Sequence, residues 1–100
     1  MAKEIIFTPI AAADFDGVVE YLLIEWGISV ADAFVGRFEK LLILLSNNAA
    51  VFPFFDSVKQ IQKCVVTKHN ILYFRETDDV IKILTVFDTR QNPEKLFYII

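Results

Sequence analysis

Apolar and polar positions follow two different periods along this chain, and the change falls near its middle. Residues 3–8, KEIIFT, are a short apolar run rich in isoleucine and phenylalanine, which reads as a strand. Thr8 is then placed to cap free helical amides, and Pro9 loses no hydrogen bond at a first helical position. From Ile10 to Trp26, apolar residues return at positions 15, 18, 19, 22, 23 and 26, the spacing of a helix with one buried stripe. Gly27 reads as its left-handed stop. Ser29, with Asp32 three residues on, reads as a capping box with the shorter acid. It opens a second helix whose Phe34, Phe38, Leu41, Leu42 and Leu45 share a face until Ser46-Asn47-Asn48 ends the pattern. With only Gly27 and Ile28 between them, the two helices should form an antiparallel hairpin.

Residues 46–57 read as a loop around Pro53, although AVFPFF within it is apolar enough to be expected to fold onto the helices or meet a partner. Beyond it the period falls to two. Residues 61–67, 71–76 and 80–88 are β-rich runs joined by turn chemistry at Thr67-Lys68-His69-Asn70 and Thr77-Asp78-Asp79, a three-stranded antiparallel meander. The tail TRQNPEKLFYII starts polar and ends apolar, which leaves a short helix and a last edge strand both open. The expectation is one domain over residues 1–100 with an α+β fold, β-α-α-β-β-β, its helical hairpin packed on one face of a mainly antiparallel sheet.

Composition sharpens this in two ways. Hydrophobic residues make up 55 % of the chain and ten residues are Phe, more apolar side chain than so small a domain hides easily, so part of it should be covered by another chain. The net charge of −3 counts against a generic nucleic-acid binder. The halves differ: residues 1–50 hold three basic and seven acidic side chains, residues 51–100 seven and six, so an anion-facing surface belongs to the second half. One cysteine offers no disulfide, as suits a reducing compartment, and is expected to be a buried small hydrophobe. Neither a signal-peptide pattern nor a membrane-length apolar run is present in the sequence, and the expectation is a soluble, cytoplasmic protein.

Several chemistries fail on residue type. Cys64 and His69 supply two soft ligands five residues apart with no carboxylate pair in helical register, so no metal is expected. As a nucleophile and base the same two should be separated, Cys64 lying mid-strand and His69 at the turn. Three glycines, at 17, 27 and 36, make no phosphate loop, and no cofactor is implied. What remains is metal-independent RNA cleavage, for which Lys63, Lys68, His69, Arg75, Arg90, Lys95 and Tyr98 are suitable residue types. Each also has a plain alternative: Arg75 as a solvated edge or a partner of Asp88 or Glu76, His69 in a turn, Arg90 in an ion pair with Asp88.

The order of elements, with YLLIEWG and ADAFVGRFEKLLILL in the hairpin, then IQKCVVTKHNILYFRE and VIKILTVFDTRQNP, resembles the RelE/ParE superfamily of type II toxin–antitoxin toxins. The resemblance runs from residue 3 to about residue 96 and is most specific over Lys63 to Arg75 and Phe87 to Pro93. It implies a small cytoplasmic toxin of the plasmid-stabilisation type, neutralised by a cognate antitoxin, as a homodimer or a toxin–antitoxin heterotetramer. RelE-like members cleave mRNA on the ribosome with cations on the second and third strands, an arginine after the last strand, and a C-terminal tyrosine or histidine. ParE-like members lack that set and inhibit DNA gyrase. Here Val65 and Val66 stand where paired lysines would be and Asn70 where the third-strand arginine would be. Arg90 fits the final arginine, and Tyr98 lies about two residues beyond the tyrosine position. The ParE-like branch is therefore expected, with no catalytic residues and with Lys63, Arg75, Arg90, Phe54, Phe55 and Phe97 as contacts for antitoxin or target. On the alternative, an RNase, the working residues would be Arg90, Tyr98 and His69. A degenerate toxin that keeps only antitoxin binding is the third reading.

Overall fold

The computed structural model describes residues 2–100. Strand β1 (Glu4–Phe7) leads into helices α1 (Pro9–Trp26) and α2 (Ile28–Asn48), followed by a 3-10 turn, Ala49–Val51. Strands β2 (Phe54–Asp56), β3 (Ile61–Thr67), β4 (Asn70–Glu76) and β5 (Val80–Asp88) come next, and a short helix α3 (Lys95–Ile99) closes the chain. The five strands form one sheet in the order β1-β5-β4-β3-β2, antiparallel except for the pairing of β1 with β5. The α+β architecture and the helical hairpin on one sheet face are as the sequence predicts.

Thr8 makes the entry to the hairpin. Its hydroxyl accepts from the Ala11 amide at 3.1 Å and donates to the Leu84 carbonyl at 2.9 Å, so one side chain caps α1 and seals the edge of β5. Phe15, Phe34 and Phe38 of the hairpin cluster with ring centroids 4.7 to 6.0 Å apart, and Phe38 meets Phe7 of β1 at 6.1 Å. Together with Leu45, Val66, Leu72, Phe74 and Ile83 they form the core between hairpin and sheet. Fully burying a side chain of this size contributes about 1.5–3 kcal/mol. A second, smaller cluster lies on the other sheet face, where α3 lays Leu96 over Ile61, Tyr73, Leu84 and Phe87.

Four local expectations need correction. Leu23 and Trp26 do not belong to the buried stripe of α1, because its last turn borders an open cleft and has no packed sheet beneath it; Trp26 is 66 % exposed. Ser29 is not a capping residue: α2 starts at Ile28 with Gly27 as its N-cap, and no side chain caps the helix. The connection shrinks to Gly27 alone, at φ 89° and ψ 175°. That is positive φ, as a glycine stop requires, but in the extended region reserved for glycine and outside the left-handed helical one.

The loop assigned to residues 46–57 is mostly ordered structure. Ser46 continues α2 and exchanges hydrogen bonds with Lys3, its hydroxyl donating to the Lys3 carbonyl at 2.6 Å and its carbonyl accepting from the Lys3 amide at 2.9 Å. Buried Gln62 then donates to the carbonyls of Ala49 and Phe52 at 2.8 and 3.0 Å, and the Lys63 amide donates to the Pro53 carbonyl at 3.0 Å. These bonds hold Phe54–Asp56 as a fifth strand. The tail resolves as helix, because Leu96 has an apolar sheet face to cover.

Candidate functional site

Strand β1 is shorter than β5, and the site grows from that mismatch. Their pairing ends at Phe7 and Ile83, so the rest of β5 has no strand beside it on that side. Asp14 of α1 fills the first gap: its carboxylate accepts from the Thr85 hydroxyl and from the Val86 amide, the latter at 3.1 Å. Past Asp14 the hairpin and sheet diverge around a cleft of about 1200 Å³. Gly17 and Ala13 on α1 and Ala33 on α2 leave it wide, since a Cβ at Gly17 would meet nothing within 4 Å. Tyr21, Trp26 and Val30 line it from the hairpin.

Basic side chains make up much of its polar lining. Arg37 and Lys40 face it from α2, His69 from the β3–β4 turn, and Arg90 from the residues after β5. Arg90 is held: Nε and a terminal nitrogen donate to the two Asp88 carboxylate oxygens at 3.0 and 2.8 Å, and the guanidinium lies 5.9 Å from the Tyr21 ring centroid. The Arg90 amide donates to the same carboxylate at 2.9 Å. The Arg90 side-chain bond is the main reason the Asp88 carboxyl titrates below the usual range, with a smaller contribution from nearby His69. In return the same bond raises the Arg90 guanidinium above its ordinary value. Asp14 and Asp88 are thus engaged internally, while Arg37 and Lys40 make no ion pair among the described residues.

The structure divides the residues singled out by the sequence into two groups. His69 and Arg90 share the cleft; Tyr98, on α3, is 90 % exposed and does not line it. Lys63 and Arg75 lie on the opposite sheet face, in register with Tyr73 and Lys82. Phe55 packs edge-on against Tyr73 there, and with Phe97, Phe87 and Leu96 lines a smaller pocket of about 280 Å³. Phe54 is exposed on edge strand β2. Neither expected partner meets Arg75. Its Nε donates to the Lys59 carbonyl at 3.1 Å, while Glu76 pairs with Lys3 at 2.9 Å. The register explains this: Asp88 stands opposite Asn70, at the far end of β4.

Cys64 is buried in the core beneath the hairpin, and burial pushes its thiol up to about 11, so it is inert and shares no site with His69. Burial also raises the Tyr73 phenol. Val66, at one of the expected lysine positions, is fully buried, and Asn70 spends its side-chain amide on the Thr67 hydroxyl at 2.9 Å. Sequence reasoning missed Asp14, Tyr21, Arg37 and Lys40. The last two carried a faint signal, as the first cations after a long acidic stretch.

Several solved structures share the fold, three of them as follows. A toxin chain of the chromosomal ParDE system from P. aeruginosa superposes with a TM-score of 0.73 at 19 % identity, covering 87 % of this chain and 96 % of that one. The E. coli DinJ–YafQ toxin–antitoxin complex gives 0.61 at 16 %, covering 90 % and 96 %. The heterotetrameric YoeB–YefM complex from Staphylococcus aureus gives 0.59 at 17 %, covering 87 % and 97 %. No curated protein sequence matches. The family described as the ParE toxin of the type II toxin–antitoxin system, parDE, matches residues 5–93, nearly the whole folded unit, and this chain belongs to it.

Proposed function

We propose that this protein is a cytoplasmic toxin that acts without chemistry, by binding DNA gyrase, and that a cognate antitoxin silences it by filling the cleft. The observation that carries the non-enzymatic reading is the dispersal of the RNase set. Arg90 is closed on Asp88 and Tyr21, and Tyr98 lies outside the cleft that holds His69. A general base, a phosphate-stabilising cation and an acid must converge within hydrogen-bond reach of one phosphodiester. These three do not.

The cleft suits a peptide better than a small ligand. A helix about 10 Å across rising about 1.5 Å per residue displaces roughly 120 Å³ per residue, so about ten residues of helix would fill it. An amphipathic segment would set apolar side chains against Val18, Leu22 and Phe34 and carboxylates against Arg37 and Lys40. The same partner, continuing round the sheet, would reach Lys63, Arg75, Phe54, Phe55 and Phe97 on the other side, and a toxin–antitoxin heterotetramer is the expected assembly.

A supercoiling assay with purified toxin and gyrase tests this. Inhibition or a trapped cleavage complex, reversed by antitoxin, is expected; neither appearing would sink the gyrase reading. The shared cleft of His69 and Arg90 favours one second reading, ribosome-dependent mRNA cleavage. Primer extension on translating ribosomes decides it: cuts in the A site that vanish in Arg90→Ala would establish cleavage over gyrase binding.

A further inference from the structure

The turn of the helical hairpin leaves a group of apolar side chains uncovered. Ile24 and Ile28, on either side of Gly27, are 72 % and 68 % exposed, and Leu23 is nearly half exposed beside them. Neither isoleucine lines the cleft, so an antitoxin segment lying there would leave both uncovered. Along the hairpin as far as Arg37 the chain's charges have one sign. Between Lys3 and Arg37 the chain carries six carboxylates and no lysine or arginine. Glu4 lies on β1 and Asp14 is bound to β5; the other four, Asp16, Glu20, Glu25 and Asp32, are exposed on the hairpin without an ion pair among the described residues.

We infer that this tip is the surface by which the toxin grips its target, and that the partner is a protein surface lined with lysine and arginine around an apolar pocket. The inference rests on the toxin reading and adds the contact residues and the chemistry of the target surface. Charge selects the partner class. Four unpaired carboxylates repel phosphate, so nucleic acid and anionic lipid do not fit. A second copy docked through the same patch would set carboxylates against carboxylates, since a two-fold contact is self-complementary only in shape. An acidic antitoxin segment is repelled too, and goes to the cleft cations.

A basic surface remains, of the kind an enzyme that handles DNA turns toward phosphates. The carboxylates would steer association and the two isoleucines would anchor it. The two surfaces meet at Trp26, which lines the cleft and is itself well exposed. An antitoxin in the cleft therefore reaches the edge of the tip, and silencing follows from overlap at that side chain.

The test uses the full chain and two variants, Ile24→Gln/Ile28→Gln and Glu20→Lys/Glu25→Lys. All four positions are exposed, and glutamine and lysine are good helix formers, so the fold should persist by circular dichroism. Binding to purified gyrase is measured between 50 and 200 mM salt, with and without duplex DNA as competitor. Wild-type affinity should fall at least tenfold over that range and fall again with DNA. Each variant should bind gyrase at least tenfold more weakly and lose growth arrest when expressed alone, while binding antitoxin at least as tightly as wild type does. Folded variants that bind gyrase and arrest growth like wild type would overturn the inference, as would a salt-independent wild type. A wild type that arrests growth without binding gyrase would remove the gyrase reading alone; loss of arrest in the variants then still supports the tip, and retention still overturns it.

Discussion

Replacing Asp14 with alanine should cost this protein about 2–4 kcal/mol of stability, although nothing in the sequence marks it as structural. The carboxylate accepts two hydrogen bonds that no other group is placed to receive, from the Thr85 hydroxyl and the Val86 amide. Thr85 is almost fully buried, so its hydroxyl would lose an acceptor in the core. Val86 is nearly as buried, and both residues border the cleft, so water admitted where the carboxylate stood would make good part of each loss. A hydrogen bond to a charged acceptor contributes about 1.5–3 kcal/mol, and an unsatisfied buried donor costs about 1–3 kcal/mol, so two partial losses give the stated range.

Urea denaturation followed by circular dichroism measures this directly, and for a domain of this size the thermal midpoint should fall by about 10–25 °C. Both bonds go to the same carboxylate oxygen, so Asp14→Asn can keep them through its amide oxygen, loses the charge assistance and should cost about half as much. Thr85→Val removes the buried donor, and a double-mutant cycle with Asp14→Ala should return a coupling of about 1–2 kcal/mol. An Asp14→Ala protein within about 0.5 kcal/mol of wild type, or a coupling near zero, would refute the claim that this carboxylate closes the edge of β5. Because it also fixes α1 over β5, the variant should bind antitoxin more weakly even where it remains folded.

Other outcomes follow from single features. Gly27→Ala places a Cβ in open space, so its effect is purely that of the backbone at φ 89°, and urea titration should show a loss of about 1–3 kcal/mol. Cys64 should resist a thiol reagent at pH 8: with its thiol raised to about 11 from an ordinary value of 9.0, the native thiolate fraction is roughly a hundredfold below that of the unfolded chain. Its raised value also means stability is intact below pH 9 and falls as pH climbs from 9 toward 11, a slope that Cys64→Ala should lessen, the buried Tyr73 phenol keeping its own share above pH 10. Asp88 has the opposite sign. Its lowered value gives stability above the ordinary carboxylate range that is lost as pH falls through the lowered one, and urea midpoints at pH 5 and pH 3 should differ less in Asp88→Asn than in wild type.

What local rules control was legible in the order of amino acids. The periods of 3.6 and 2, the Thr8-Pro9 start, the glycine between the helices and the turn at His69 needed no tertiary information, because each is settled by neighbours within a few residues. Resemblance in wording and order was enough for the family, and Val66 and Asn70 were already telling as residue types. Tertiary structure decided the rest. Ser46-Asn47-Asn48 looks like a terminator but stays helical because Lys3, just before β1, gives Ser46 a partner 43 residues away. AVFPFF became a strand because buried Gln62 holds its flanks. Leu23 and Trp26 fit the helical stripe, yet lie exposed because β1 and the packed part of the sheet end before α1 does. The cleft arises from that same mismatch of lengths, and its cations come from α2, a turn and the residues after β5. No spacing rule joins such distant positions; only the packing of the hairpin across the sheet does.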